Sequence, residues 1–161
     1  MSKAFTREDD AEESSPALQI AALPPGAKNY ITPEGDRALR AEFERLESER
    51  ARVSASQDRS NLARLDQKIG RLKQIFSTLV VAPINPSEEA RFGATVRVKY
   101  PGGHIETFRI VGVNEIDLDR NWISWLSPLA RALLNAKSGS IVRFKAPNGE
   151  QELEILSVAY E

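Results

Sequence analysis

The chain has 161 residues, room for one domain and an appendage, and its 22 Lys and Arg nearly cancel its 23 Asp and Glu, so overall charge gives no pull toward nucleic acid. With no cysteine and one histidine, His104, it can form no disulfide, no thiolate nucleophile, no cysteine-bound zinc and no multi-histidine metal site. No apolar run approaches the ~20 residues of a membrane span, and MSKAFTREDDAEESS lacks the apolar core of a secretory signal, so a cytoplasmic protein without membrane contact is expected.

Residues 1–28 read as a disordered acidic and Pro-rich leader that ends at Pro24-Pro25-Gly26, because too little apolar surface is available to offset the entropy of ordering. Order starts at Asn29-Tyr30-Ile31. Thr32-Pro33-Glu34 then opens a helix with a Thr cap, Pro at the first position and an acid at the positive end of the dipole. Leu39, Phe43, Leu46 and Val53 make one apolar stripe on a highly charged helix. The polar segment Ser54 to Asn61 interrupts the stripe. Leu62, Leu65, Ile69, Leu72, Ile75 or Phe76, and Leu79 then make a second one. Two such helices predict an antiparallel coiled-coil hairpin over 29–82, each arm hiding the other's stripe, with its tip at about 54–61. Asp58 and Arg59 fall at that tip, where Asp58 or Ser60 can serve as a helix cap.

The two prolines of VAPINPSEEA mark a boundary near residue 83, after which the period becomes that of strands. Thr95, Arg97 and Lys99 alternate with Val96, Val98 and Tyr100, and Pro101-Gly102-Gly103 turns the chain toward the strand FRIVG at Phe108 to Gly112. His104 beside this turn reads as a turn or strand-edge residue. In ISWLSPLARALL a strand meets a helix: Ile123 and Trp125 alternate with Ser124 and Leu126, Ser127 caps, Pro128 starts the helix, and Leu129, Ala132 and Leu133 share a face. Gly139 follows the helix end, and strands are predicted at Ile141 to Lys145 and Glu152 to Val158 around Pro147-Asn148-Gly149. The expected fold class is therefore α+β: a helical hairpin, then a small antiparallel sheet domain over 83–161 with one packed helix. No side chain of ISWLSPLARALL or FRIVG suits a nucleophile, a general base or a metal ligand. A rigid strand, turn and helix suit docking, and an exposed tryptophan, Trp122 or Trp125, would suit an anchor.

Taken in order, FGATVRV, FRIVG, ISWLSPLARALL and PNGEQELEIL closely resemble the C-terminal domain of the bacterial Gre transcript-cleavage and elongation factors, their GreB branch in particular, over Phe92 to Tyr160. KNYITPEG resembles the start of the coiled coil in that family, and MSKAFTRE the leader of some of its members. The resemblance implies an FKBP-like fold for the C-terminal domain, docked on the rim of the secondary channel of bacterial RNA polymerase, with the hairpin inserted into the channel. The surface carried over is Ser124, Ser127, Pro128, Leu129, Ala130 and Arg131. Arg40, Arg45, Arg50, Arg52, Arg59, Arg64, Arg71 and Lys73 would line the channel or approach nascent RNA or DNA, and a solvated helical face explains them equally well.

In cleaving members two tip acids help hold a second Mg²⁺, because paired carboxylates recruit a hard cation that activates water, and the polymerase then cuts backtracked RNA. That tip resembles D-R-S-E-N. Here Asp58-Arg59-Ser60 is followed by Asn61, so Asp58 matches the first acid and the second is missing, while Glu49 and Asp66 lie too far along the arms to replace it. Each arm also looks shorter by roughly 8–12 residues, or about 12–18 Å. The expectation is a monomeric, polymerase-binding elongation regulator with weak or no cleavage stimulation, not an enzyme and without an intrinsic cofactor. Mg²⁺ would be shared with the polymerase only if Asp58 reached its active centre. The competing readings are a working cleavage factor relying on Asp58, a prolyl isomerase by fold analogy, and a coiled-coil scaffold.

Overall fold

A computed structural model describes residues 23–161; the leader expected over 1–28 therefore lies mostly outside the described residues. The elements are β1 (Asn29–Ile31), α1 (Pro33–Ser54), α2 (Arg59–Thr78), β2 (Leu79–Val81), β3 (Thr95–Lys99), β4 (Ile105–Val111), β5 (Trp122–Ser124), α3 (Pro128–Leu133), β6 (Ile141–Ala146) and β7 (Gly149–Ala159).

The hairpin forms where the two stripes predict it. Thr32 caps α1 in an extended conformation, its hydroxyl accepting from the Gly35 N–H at 3.0 Å, with Pro33 next and Glu34 and Asp36 in the first turn. Leu46, Leu65 and Ile69 are buried between the arms, with Phe43, Val53 and Leu72 packed around them. Phe43 meets Phe76 edge-on at 5.6 Å. Each fully buried aliphatic side chain contributes about 2 kcal/mol, whereas the ion pair that crosses the hairpin, Arg50–Asp66, is open to solvent at both ends and adds far less. The apolar seam, not the charge pattern, holds the arms together.

The last residue assigned to the second stripe, Leu79, lies beyond the helix. It starts β2, which pairs in parallel with β1: Asn29 opposite Leu79, Tyr30 opposite Val80, Ile31 opposite Val81. Parallel neighbours need a long crossover. Here the whole hairpin is that crossover, so its two ends are clasped together by backbone bonds.

The second sheet has strand order β5-β4-β3-β7-β6. Its pairings are antiparallel except β5, which lies parallel to β4, because the segment between Val111 and Trp122 carries the chain back before it pairs. The sheet is thus mixed, where a purely antiparallel one was expected. Gly102 and Gly103, both at φ +97°, make the β3–β4 turn in a conformation that side chains resist. Val96, Val98, Phe108, Ile110, Leu153 and Ile155 form the core on one face, and α3 closes it with Ala130 and Leu133. The stop after α3 is Asn135, at φ +67°, and not Gly139, which turns the chain toward β6 and donates its N–H to Ile155 at 2.7 Å.

Tyr100, just after β3, is half-buried, its hydroxyl donating to Glu106 Oε2 at 3.0 Å. Burial, and then the Glu106 carboxylate, push its pKa up to about 12. The neutral phenol is therefore favoured in the fold, so its contribution is intact below pH 10 and lost as the pH rises through about 12. Phenolate absorbance should show one tyrosine titrating near 12, and Glu106→Gln should bring that titration down.

Candidate functional site

Two places follow from the sequence: the hairpin tip and the strand-turn-helix face. At the tip, α1 runs to Ser54 and α2 starts at Arg59, so the expected tip over 54–61 is a turn of four residues between the helices. The Ser56 N–H and hydroxyl both donate to the Val53 carbonyl, each at 2.9 Å. Asp58 is the cap of α2, its Oδ1 accepting from the Asn61 N–H at 3.1 Å. Between Arg50 and Leu65, Asp58 is the one acid among four arginines, Arg50, Arg52, Arg59 and Arg64. The nearest other carboxylates are committed elsewhere. Asp66 of α2 pairs across the hairpin with Arg50, and Glu49 with Arg45 at 3.0 Å.

The long basic set on the hairpin divides in two. Arg40, Arg45 and Arg50 are bound to acids of the hairpin itself. Their guanidinium pKa values are raised by hydrogen bonds to Asp36, Glu42 and Asp66 respectively, and the Arg45 contact holds the Glu42 carboxyl below its usual range. Arg52, Arg59, Arg64, Arg71 and Lys73 make no ion pair among the described residues.

On the sheet domain, β5 ends at Ser124, so the alternation expected through Leu126 stops early. Ser124 is 7% exposed, and its hydroxyl accepts from the Leu126 N–H at 3.1 Å while its carbonyl accepts from the Ser127 N–H at 2.9 Å. Ser127 caps α3, accepting from the Ala130 N–H at 3.1 Å, and Pro128 follows at the first position. Ala130 is fully buried in the core. Of the six residues carried over, Ser124 and Ala130 therefore shape the face from beneath and cannot touch a partner through their side chains. Pro128 and Arg131 are exposed, with Ser127 and Leu129 half-buried beside them. Arg131 makes no ion pair among the described residues.

Neither tryptophan stands free as an anchor. Trp122 is half-buried under the guanidinium groups of Arg109 and Arg120, 4.7 and 5.2 Å from its ring centre. Trp125 is half-buried and meets Tyr30 edge-on at 5.4 Å. Exposed His104 contacts Glu106 at 3.0 Å. Among the described residues no three His, Asp or Glu side chains converge as metal ligands would, and no helix is long and apolar enough to cross a membrane.

A charged hairpin clasped at its base is joined to a small sheet domain with one exposed strand-turn-helix face. Residues 85–160 match the family described as transcription elongation factor, GreA/GreB, C-terminal. Transcription elongation factor GreB of Neisseria meningitidis serogroup B (strain ATCC BAA-335 / MC58) is 37% identical over 154 positions, covering 83% of this chain and 94% of that protein. Transcription elongation factor GreA of Thioalkalivibrio sulfidiphilus (strain HL-EbGR7) is 35% identical over 156 positions, covering 83% and 99%. The solved structure of a GreA/GreB elongation factor from Nitrosomonas europaea overlaps 83% of this chain and 100% of its own, at 21% identity and TM-score 0.42. The chain belongs to the GreA/GreB family of transcription elongation factors. The two sequence alignments take in 83% of 161 residues, about 134, across 154 and 156 positions, so each of those relatives carries about 20 residues with no counterpart here.

Proposed function

We propose that this protein is a Gre-type elongation regulator that binds RNA polymerase at the secondary channel through the α3 face and does not complete a cleavage site there. The observation that carries this reading is the tip. One carboxylate, with an oxygen already engaged by Asn61 and arginines on both sides, does not fit a Mg²⁺ site, which calls for several oxygen ligands and net negative charge. Reach points the same way. The 22 and 20 residues of α1 and α2 give arms of about 30 Å. The roughly 20 residues present only in the relatives, placed in the hairpin, would add about 15 Å to each arm.

The protein acts in this reading as an accessory factor in the cytoplasm, as a monomer, without a cofactor of its own. Arg52, Arg59 and Arg64 face the walls of the channel or the nucleic acid within it. The test is competition. Labelled full chain should bind core RNA polymerase, and unlabelled GreB of a cleaving relative should displace it. Binding that survives saturating GreB would place the contact elsewhere and overturn the channel assignment.

A further inference from the structure

We infer that Glu115 is a positioning residue that fixes the direction in which the hairpin leaves the sheet domain; this rests on, and deepens, the reading that the hairpin must enter a channel while the sheet domain docks outside it. Glu115 lies in the turn after β4, only 9% exposed, and no catalytic or docking role uses it. Its Oε2 accepts from two backbone groups of different parts of the protein: the Thr32 N–H at the start of the hairpin, 3.0 Å away, and the Gly112 N–H of the sheet domain, at 2.9 Å. Its Oε1 accepts from the Thr32 hydroxyl.

The donors and acceptors are consistent throughout. The Thr32 hydroxyl gives its proton to Glu115 and takes the Gly35 N–H with a lone pair, so the first turn of α1, its cap and the carboxylate form one relay. An ionised carboxylate is the side chain that can accept all three hydrogen bonds and donate none. The two parts approach so closely here that a Cβ on Gly35 would overlap the Glu115 carboxylate, and one on Gly112 would overlap the Tyr30 carbonyl. Both glycines lie at this one contact.

The surrounding contacts brace both arms against the same turn. Asn114 donates to the Asn29 side-chain oxygen at 3.0 Å, and the Asn29 amide donates to the Thr78 hydroxyl at 3.1 Å, at the end of α2. Arg109 of β4 pairs with Glu34 of α1 at 2.6 Å. Leverage makes the joint matter for function: on an arm of about 30 Å, a swing of about 10° at the base moves the tip about 5 Å. The Arg109–Glu34 pair is covered only at its arginine end, while Glu34 is open to solvent on a flexible stem and can follow such a swing. The Glu115 contacts do not, because two of the three end on backbone and all are buried.

The chain has no cysteine, so spin labels can be placed uniquely through Gln57→Cys at the tip and Arg97→Cys on β3, both exposed. Pulsed electron resonance on the full chain then reads the spread of tip-to-sheet distances well below the melting temperature. Glu115→Ala should broaden that spread about twofold, because the buried donors of both parts lose their common acceptor. Glu115→Gln keeps an oxygen for the two backbone N–H groups and should stay close to wild type. If Glu115→Ala does not fold, Thr32→Val against Thr32→Ser makes the same comparison: the first removes the hydroxyl and broadens the spread, the second restores it. A spread equal to wild type in folded Glu115→Ala, or in Thr32→Val, would overturn the positioning role. A wild-type chain with a narrow spread that fails to bind RNA polymerase would overturn the docking reading alone.

Discussion

Arg131→Glu is expected to weaken binding to RNA polymerase at least about tenfold, the penalty typical of reversing a central charged contact. Arg131 is the exposed cation of α3, one turn from exposed Pro128, and no acid among the described residues neutralises it. Its loss should leave the fold almost untouched. A helix of six residues has a weak dipole, and reversing a charge in its last turn costs about 1 kcal/mol or less. Fluorescence anisotropy of labelled chain with core polymerase measures the effect, and thermal melting confirms that the variant folds. Binding at wild-type affinity would move the docking surface away from α3.

Leu133→Ala is expected to destabilise the sheet domain by about 2–5 kcal/mol, the range for truncating a buried leucine. Leu133 is fully buried, and α3 is only six residues long, far below the length at which a helix persists alone. It stays formed because Leu133 and Ala130 are buried in the core cluster that also holds Val96, Phe108, Ile110, Leu153 and Ile155. The truncation therefore acts on function as well. Loosening α3 loosens the cap at Ser127 and the exposed pair Pro128 and Arg131, so binding should fall with stability. Half-buried Leu129 serves as the internal comparison, and Leu129→Ala should cost clearly less. Denaturant unfolding of both variants decides the matter: a loss under about 1 kcal/mol for Leu133 would contradict its place in the core.

Much of this architecture was legible because it rests on local signals. Thr32-Pro33-Glu34 and Ser127-Pro128 each announce a helix by chemistry that needs no tertiary partner, and both caps appear with the expected hydrogen bonds. The stripes on α1 and α2 show through a charged surface because burial of Leu46, Leu65 and Ile69 demands that spacing. What the sequence hid is long-range. Leu79 continues the helical spacing of α2 and gives no sign that it pairs with Asn29, fifty residues earlier, in the clasp. Ser124 was carried over as part of a docking surface, yet β5 is a short parallel edge strand and its serine turns into the structure, where its hydroxyl accepts from the Leu126 N–H. Glu115 sits in VNEIDLD as one acid among several, and only the fold brings Thr32 and Gly112 to it. Burial also divides the residues of the proposed docking face. The motif names the segment, but burial decides that Pro128 and Arg131, and not Ser124 or Ala130, offer their side chains.

The tip was legible in one respect: Asp58, read as a candidate cap, does cap the helix that follows. The cap at Asn61 makes the point physical, since the same carboxylate that would hold a metal is already part of the turn. Asn is as good a cap as Asp, so Asp58→Asn removes the charge and keeps the helix start. The most direct measurement is RNA cleavage in a backtracked bacterial elongation complex, with wild type and Asp58→Asn each at saturating occupancy confirmed on the same sample. Bound wild type that leaves cleavage at the rate of polymerase alone, with Asp58→Asn indistinguishable from it, is the predicted result. Cleavage that rises with wild type and falls back with Asp58→Asn would show that one carboxylate on a short hairpin suffices, and would contradict the account.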